Sequence, residues 1–279
     1  MAGNLERDVA AHYGKGDLLG RLLDALKAGG SDIDNLTAKD LAPVDEFHIG
    51  GRPATAYAVG KMHLGKEDHV LDVGCGIGGA ARYLASTIGC TVTGIDLTPE
   101  YIAAARDLTR RTNLGGKIGY HVASALAMPF GDAAFDAALT IHVAMNIKDR
   151  AGLYREIARV LKPGALLCIY DVMKGPADGL TYPVPWAESA DTSHLTTPAD
   201  MTALLQNAGF SVELTEDRKE SAIAFFRDRV APSGVPPSVG LHLLMSDAPV
   251  KFKNMLTNIE QDRISPVVML ARKQQPSHA

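Results

Sequence analysis

Hydrophobic positions change their period once along this chain. Leu18, Leu19, Leu22, Leu23 and Leu26 recur on one helical face, and Gly29-Gly30 ends the run. The spacing predicts a mainly helical stretch over residues 1–65. It is broken by a loop, Asp45-Glu46-Phe47-His48-Ile49-Gly50-Gly51-Arg52-Pro53, with Pro53 as the first residue of a helix reaching about Leu64. From His69 onward, short apolar runs alternate with helical stretches. Strands are predicted at 70–73, 91–96, 118–122, 135–141 and 165–170. Between them lie a helix over 80–88, one capped by Thr98 with Pro99 as its first residue, and one with Leu153, Ile157, Val160 and Leu161 on one face, stopped by Lys162-Pro163-Gly164. An irregular stretch over 176–197 contains Tyr182-Pro183-Val184-Pro185-Trp186. A helix from Thr197-Pro198 to Gly209, a strand at 210–214, a mostly helical 218–262 interrupted by Pro232, Pro236 and Pro237, and a last strand at 267–271 complete the pattern.

Strands alternating with helices predict an α/β fold, a doubly wound parallel sheet covered on both faces. Ligands of such sheets bind beyond the carboxyl ends of the strands, where strand order reverses. Gly74, Asp96, Ser124, Ile141 and Asp171 all fall at or just past predicted strand ends, so five segments converge on one edge. The expected organisation is a helical cap over that edge at 1–65, the core at 66–217, a helical lid or dimer insertion at 218–262, and a final core strand at 263–273.

Composition narrows the class. Hydrophobic residues make up 46% of 279, enough for a large core. Lys and Arg number 28 against 32 Asp and Glu, which speaks against a nucleic-acid groove built on bulk positive charge. No apolar run reaches about 18 residues, so no membrane span is expected. The first residues carry charge early and have no apolar centre, so no secretory signal is read there. Cys75, Cys90 and Cys168 are odd in number and lack C-x-x-C spacing, which argues against a disulfide framework or a thiolate zinc site and for a reducing, cytoplasmic compartment. His12, His63, His69, His121, His194, His242 and His278 show no i, i+4 pairing, and no metal is expected.

The chemistry starts at Gly74, Gly76 and Gly79, which satisfy G-x-G-x-x-G after the first strand. Glycines let this turn tighten and let amides at a helix N-terminus approach a ligand, although the pattern also fits a strand-to-helix turn that binds nothing. Two nucleotide-like ligands compete for it. A dinucleotide sets a pyrophosphate against the amides, whereas S-adenosylmethionine brings a cationic sulfonium and an amino-acid head. Asp72, two residues before Gly74, would repel the first and attract the second. Asp96, 22 residues after Gly74, suits the ribose hydroxyls of either.

Val70-Leu71-Asp72-Val73-Gly74-Cys75-Gly76-Ile77-Gly78-Gly79 resembles the first motif of class I S-adenosylmethionine-dependent methyltransferases. Phe135-Asp136 and Arg159-Val160-Leu161-Lys162-Pro163-Gly164 resemble later motifs of that family in order and spacing; together these cover residues 69–171. The flanking Asp45-to-Gly51 loop and His142-Val143-Ala144-Met145-Asn146-Ile147 are similar to small-molecule methyltransferases related to sarcosine/dimethylglycine N-methyltransferases. The resemblance implies a Rossmann-like seven-stranded sheet whose last strand is antiparallel and inserted beside the sixth. It implies S-adenosyl-L-methionine as cofactor, with Gly74 and Gly76 facing its methionine part, Asp96 on the ribose, Leu97 on the adenine, and Tyr13, Gly51 and Ile141 nearby. Where the family often has Gly-Asp-Ala, this chain has Ala123-Ser124-Ala125, and a neutral Ser124 is the weaker acceptor for an adenine amino group. The Ala125 backbone contact is unaffected.

His142, just past the fourth strand, is the candidate catalytic group: it either accepts a proton or orients the acceptor, the alternative being a hydrogen-bonded structural histidine. His48, Met145, Asp171 and Trp186 are candidate substrate contacts, and Met245, Met255, Leu243 and Leu244 candidate roof residues; each also fits a packing or capping role. The expected activity is methylation of a small molecule, foremost N-methylation of a small amine. The alternatives are O- or C-methylation of a phenolic, quinone or isoprenoid-like compound, an NAD(P)-dependent oxidoreductase, and a cofactor-binding module without turnover. A small-molecule acceptor is the expected partner, with no nucleic acid and no membrane, and the 218–262 segment is a candidate homodimer surface.

Overall fold

A computed structural model of the chain describes residues 16–230, 240 and 245–275. Seven strands form one sheet in the order β3-β2-β1-β4-β5-β7-β6. Strands β1 (His69–Val73), β2 (Thr91–Asp96), β3 (Ile118–Val122), β4 (Phe135–Ile141) and β5 (Leu161–Lys174) are parallel to their neighbours, while β7 (Ile264–Lys273) runs antiparallel to both β5 and β6 (Phe210–Asp217). Strand order reverses between β1 and β4, so the crevice that binds ligands in such sheets lies above the ends of these two strands.

Apolar residues on both faces of the strands account for the two layers of helices. Leu71, Val73, Ile95, Leu167 and Ile169 face α6 (Arg150–Val160) and α7 (Pro198–Asn207) through Leu153, Ile157, Met201 and Leu205. Val70, Val92, Ala137 and Leu139 face α3 (Gly51–Gly60), α4 (Gly79–Thr87) and α5 (Pro99–Arg111) through Ala58, Val59, Leu84 and Ile102. Helices α8 (Lys219–Val230) and α9 (Ala248–Glu260) pack on each other and on Val184 and Trp186 at the carboxyl edge. No helix among the described residues is long and apolar enough to cross a membrane.

Element boundaries shift where hydrogen bonding overrides local signals. Lys162-Pro163-Gly164 does not separate helix from strand: Leu161 already pairs with Phe135 and Leu166 with Ala137, so these residues bulge out of a strand begun at the helix end. Likewise β6 and β7 are longer than predicted, because each residue gained pairs with the other strand or with β5. Helix α3 starts at Gly51, two residues before Pro53, and ends at Gly60 rather than at Leu64. A separate α2 (Ala38–Asp45) follows α1 (Leu18–Ala28). It is opened by Thr37, whose hydroxyl accepts the Asp40 amide at 3.3 Å while the Asp40 carboxylate accepts the Thr37 amide at 2.8 Å.

The segment before the sheet is clasped to the glycine loop. Arg82 of α4 is fully buried and ion-paired with Asp45 at the end of α2; it also donates to the Ile77 carbonyl at 2.7 Å and to Thr109 Oγ1 at 3.1 Å. The Asp45 carbonyl lies so close to α4 that a Cβ on Gly79 would stand 2.1 Å from its oxygen. Alanine at a helical glycine ordinarily stabilises by about 0.5–1 kcal/mol. Gly79→Ala is instead expected to destabilise by about 1–3 kcal/mol, as overpacking does, and denaturant unfolding would read the sign.

Candidate active site

The crevice is built on strand ends. After β1, the Gly74 and Cys75 amides donate to the Ile95 carbonyl at 2.8 and 2.9 Å, pinning the glycine loop to β2. Gly74 has φ +73°, and a Cβ there would meet Val143 at 2.4 Å; Gly76 has φ +53° with open space beside it. The loop thus needs glycine for its backbone at both positions and for a close approach at the first. The Gly76 and Thr98 amides each donate to the Asp96 carboxylate at 2.9 Å. Burial raises the Asp96 carboxyl above its ordinary value, and those amides work against the rise.

Asp72 is almost wholly buried, and its Oδ2 has no hydrogen-bond partner among the described residues. Burial, then the nearby charges of Glu46 and Asp96, push its carboxyl up to about 7. An orphaned oxygen on a crevice wall is the kind of exception that a polar ligand resolves.

A cavity of about 190 Å³ fills the crevice. Asp72, Gly74, Gly76, Asp96, Leu97, Ser124, Ala125, Ile141, His142 and His48, all singled out from sequence, line it. Asp45, Glu46, Phe47, Tyr101, Val143 and Asn146 join them without having been expected as ligand contacts. A second cavity of about 40 Å³ adjoins the first and shares Phe47, His48 and His142 with it. Its other walls include the expected Met145, Trp186, Met245 and Met255, and the unexpected Phe225, Phe226 and Phe252.

His142 stands where the two cavities meet. Its φ is +55°, an uncommon backbone state for a non-glycine residue, held by its amide donating to the Tyr170 carbonyl at 2.7 Å. Its ring packs beside Tyr170 and His48 at centroid distances of 5.0 and 5.7 Å, and its Nε2 has no partner among the described residues. Burial, and secondarily His48, hold the imidazole well below its ordinary pKa, so it is neutral.

His48 is tied down at both ring nitrogens. Nδ1 lies 3.1 Å from the Ile49 carbonyl, and Nε2 lies 2.9 Å from both Glu46 Oε2 and Thr55 Oγ1. Burial works to raise the Glu46 carboxyl, but the His48 hydrogen bond, the His48 and Arg52 charges and the Thr55 hydroxyl bring it down to about 2. Nothing in the spacing of Glu46, His48 and Thr55 announces this network, because it closes between a loop and a helix.

Two expected contacts, Asp171 and Gly51, lie outside both linings. Asp171 lines neither cavity: it is 1% exposed, its carboxylate accepts the Val172 amide at 3.0 Å, and it faces the amides of Ala144 and Met145. Its place is under the turn that carries Met145. Gly51 opens α3 and also lies outside both linings. Tyr13, with Leu243 and Leu244, lies outside the described residues. Among those residues, no three His, Cys, Asp or Glu side chains are grouped to hold a metal ion.

Comparisons with known proteins agree with this arrangement. Residues 71–169 match the family described as methyltransferase domain. Over 140 residues the chain is 34% identical to Methyltransferase GfsG of Streptomyces halstedii, covering 50% of each protein. It is also 34% identical over 155 residues to O-methyltransferase cnsE of Penicillium expansum, covering 55% of this chain and 56% of that one. The chain thus spans about half the length of these curated relatives. The solved geranyl diphosphate C-methyltransferase of Streptomyces coelicolor A3(2), in complex with Mg2+, geranyl diphosphate and S-adenosyl-L-homocysteine, superposes with a TM-score of 0.72 at 16% identity, over 96% of this chain and 97% of that one; the two share a fold. With its glycine loop at the switch point, its antiparallel β7 between β5 and β6, and a match to the methyltransferase domain family from Leu71 to Ile169, the chain carries a methyltransferase domain on the fold of that solved methyltransferase.

Proposed function

We propose that the chain transfers a methyl group from S-adenosylmethionine to a small molecule, with the donor in the larger cavity and the acceptor in the smaller. One observation carries this reading. Among the described residues, the larger cavity is lined by Asp45, Glu46, Asp72 and Asp96 and by no Lys or Arg. A pyrophosphate would meet only negative charge there, whereas a ligand with an ammonium and a sulfonium finds partners. When bound, S-adenosylmethionine supplies a methyl carbon made electrophilic by the sulfonium.

The chain's own residues do the rest. Asp72 holds the ammonium, directly or through water, with the orphaned Oδ2. Gly74 and Gly76 let the backbone approach the methionine part. Asp96 takes the ribose hydroxyls, and Leu97, Ser124, Ala125 and Ile141 bound the adenine side. His142 meets the acceptor. Described residues of the 1–65 segment, Asp45 to His48, cover the donor, strand ends and loops of the 66–217 core hold it, and α8 and α9 roof the acceptor. Exclusion of water and alignment of donor with acceptor contribute on the order of 7–11 kcal/mol to such reactions.

A thermal-shift comparison tests the reading. S-adenosylhomocysteine at about 100 times its Kd should add about 2.7 kcal/mol of stability, and NADH should add none. Stabilisation by NADH alone would replace this proposal with an oxidoreductase.

A further inference from the structure

The walls of the smaller cavity specify their occupant beyond "small molecule". We infer that the acceptor enters with an uncharged, ring-sized apolar end bearing one acidic hydroxyl, a phenol or an enol, and that His142 Nε2 receives the hydroxyl proton. This rests on the methyl-transfer reading above and names the acceptor for the same site.

The chamber is made of Trp186, Phe225, Phe226, Phe252, Met145 and Met255 around the two histidines at its mouth. Among the described residues lining it there is no carboxylate, Lys or Arg. An ammonium or phosphate placed here would lose hydration with no counter-charge to replace it, a loss of several kcal/mol. A flat ring suits aromatic edges and faces, and methionine adapts to its outline. The wall is fixed before anything binds. Lys251 pairs with Glu188 at 2.6 Å, Asn254 donates to the Pro183 carbonyl at 2.9 Å, and the Asn258 side chain both accepts from and donates to the Thr181 backbone at 2.9 Å. Trp186 Nε1 donates to Ser193 Oγ at 3.0 Å. Together these bonds hold residues 181–188 against α9.

The polar end of the acceptor is located by elimination. His48 spends both ring nitrogens on Glu46, Thr55 and Ile49, whereas His142, which lines both cavities, has a buried Nε2 with no partner among the described residues. A neutral imidazole of low proton affinity is a weak base, so it can take a proton only from an acidic O–H such as that of a phenol or enol, and only as the oxygen bonds to the methyl carbon; an alkanol is too weak an acid. In the step itself the O–H proton passes to His142 Nε2. A lone pair on the acceptor oxygen forms the new bond to the methyl carbon. The bond from that carbon to sulfur breaks, and its electron pair stays on sulfur.

The chain contains one tryptophan, and it lines the chamber, so intrinsic fluorescence reports occupancy. With the full chain saturated by S-adenosylhomocysteine, 3,5-dimethylphenol should perturb Trp186 emission. Benzylamine and phenyl phosphate should bind at least about tenfold more weakly. With S-adenosylmethionine, the phenol should give its methyl ether, and cyclohexylmethanol no product. Met255→Ala, which enlarges the chamber, should shift preference toward a bulkier phenol without changing S-adenosylhomocysteine affinity. Preferred binding or methylation of benzylamine overturns the phenol assignment while leaving methyl transfer standing. Absence of any emission change with the phenol, while S-adenosylhomocysteine still binds, overturns it as well. Failure to bind S-adenosylhomocysteine counts against the earlier reading instead.

Discussion

Asp72→Asn should weaken S-adenosylhomocysteine binding at least about tenfold at pH 8 and, in the ligand-free protein, raise stability. Both effects come from one buried carboxyl whose ordinary value of 3.8 is lifted to about 7 by burial and by the charges of Glu46 and Asp96. Because the folded value is raised, the folded state holds the proton more tightly than the unfolded chain does. Ionisation therefore costs stability, beginning above about pH 4 and complete above about pH 7. The variant removes that cost, on the order of 2–4 kcal/mol at pH 8, and leaves stability below pH 4 nearly unchanged. Binding has the opposite sign. A cationic ligand prefers the ionised carboxylate, so wild-type affinity should strengthen as pH rises through about 7, while the variant's affinity stays flat. Calorimetric titrations at pH 6 and pH 8, with thermal unfolding alongside, read both. Equal, pH-independent affinity in the two proteins would remove Asp72 from the site.

His142→Ala and His142→Gln should each lower kcat about 100-fold, within the range for loss of a general base, with S-adenosylhomocysteine affinity changed less than about twofold. Glutamine keeps a polar group at the mouth of the chamber but cannot take the proton, so the two variants should agree in kcat and differ in KM for the acceptor. Burial, and then His48, hold the wild-type imidazole well below its ordinary value. With both substrates saturating, kcat should therefore remain level as pH falls through 6.5, where an ordinary histidine would be half protonated. Unchanged turnover in both variants would make His142 a structural residue.

Much of the donor cavity was legible in the sequence because it follows from local rules. Strand ends lie where apolar runs stop, topology brings the ends together, and charge chooses between ligands, so Asp72, Gly74, Asp96 and Ser124 needed no knowledge of packing. Helix α2 also left a readable trace in Thr37 and Asp40, but one too close to the loop motif to stand out. The acceptor chamber was partly legible. Trp186 and Met255 stand out as residue types, whereas Phe225, Phe226 and Phe252 carry no local signal and join the lining only because α8 and α9 pack beside Val184 and Trp186. Asp171 is placed by a related effect. Its position at the carboxyl edge suggested a ligand, but β5 continues to Lys174 and carries it past the cavity and under the Ala144–Asn146 turn.

The direction of β7 has a consequence for how acceptor choice is encoded. Strand β6 ends at Asp217, opposite Val267, and β7 begins at Ile264, opposite Lys174 at the far end of β5. The described helices between them, α8 and α9, therefore leave from and return to the same rim of the sheet, the one above the smaller cavity. Replacing α8 and α9 between those two anchors is therefore expected to change the lining of the smaller cavity while β6 and β7 keep their register. On the proposed assignment of the two cavities, grafting α8 and α9 from a related enzyme is expected to bring new acceptors to the same donor site.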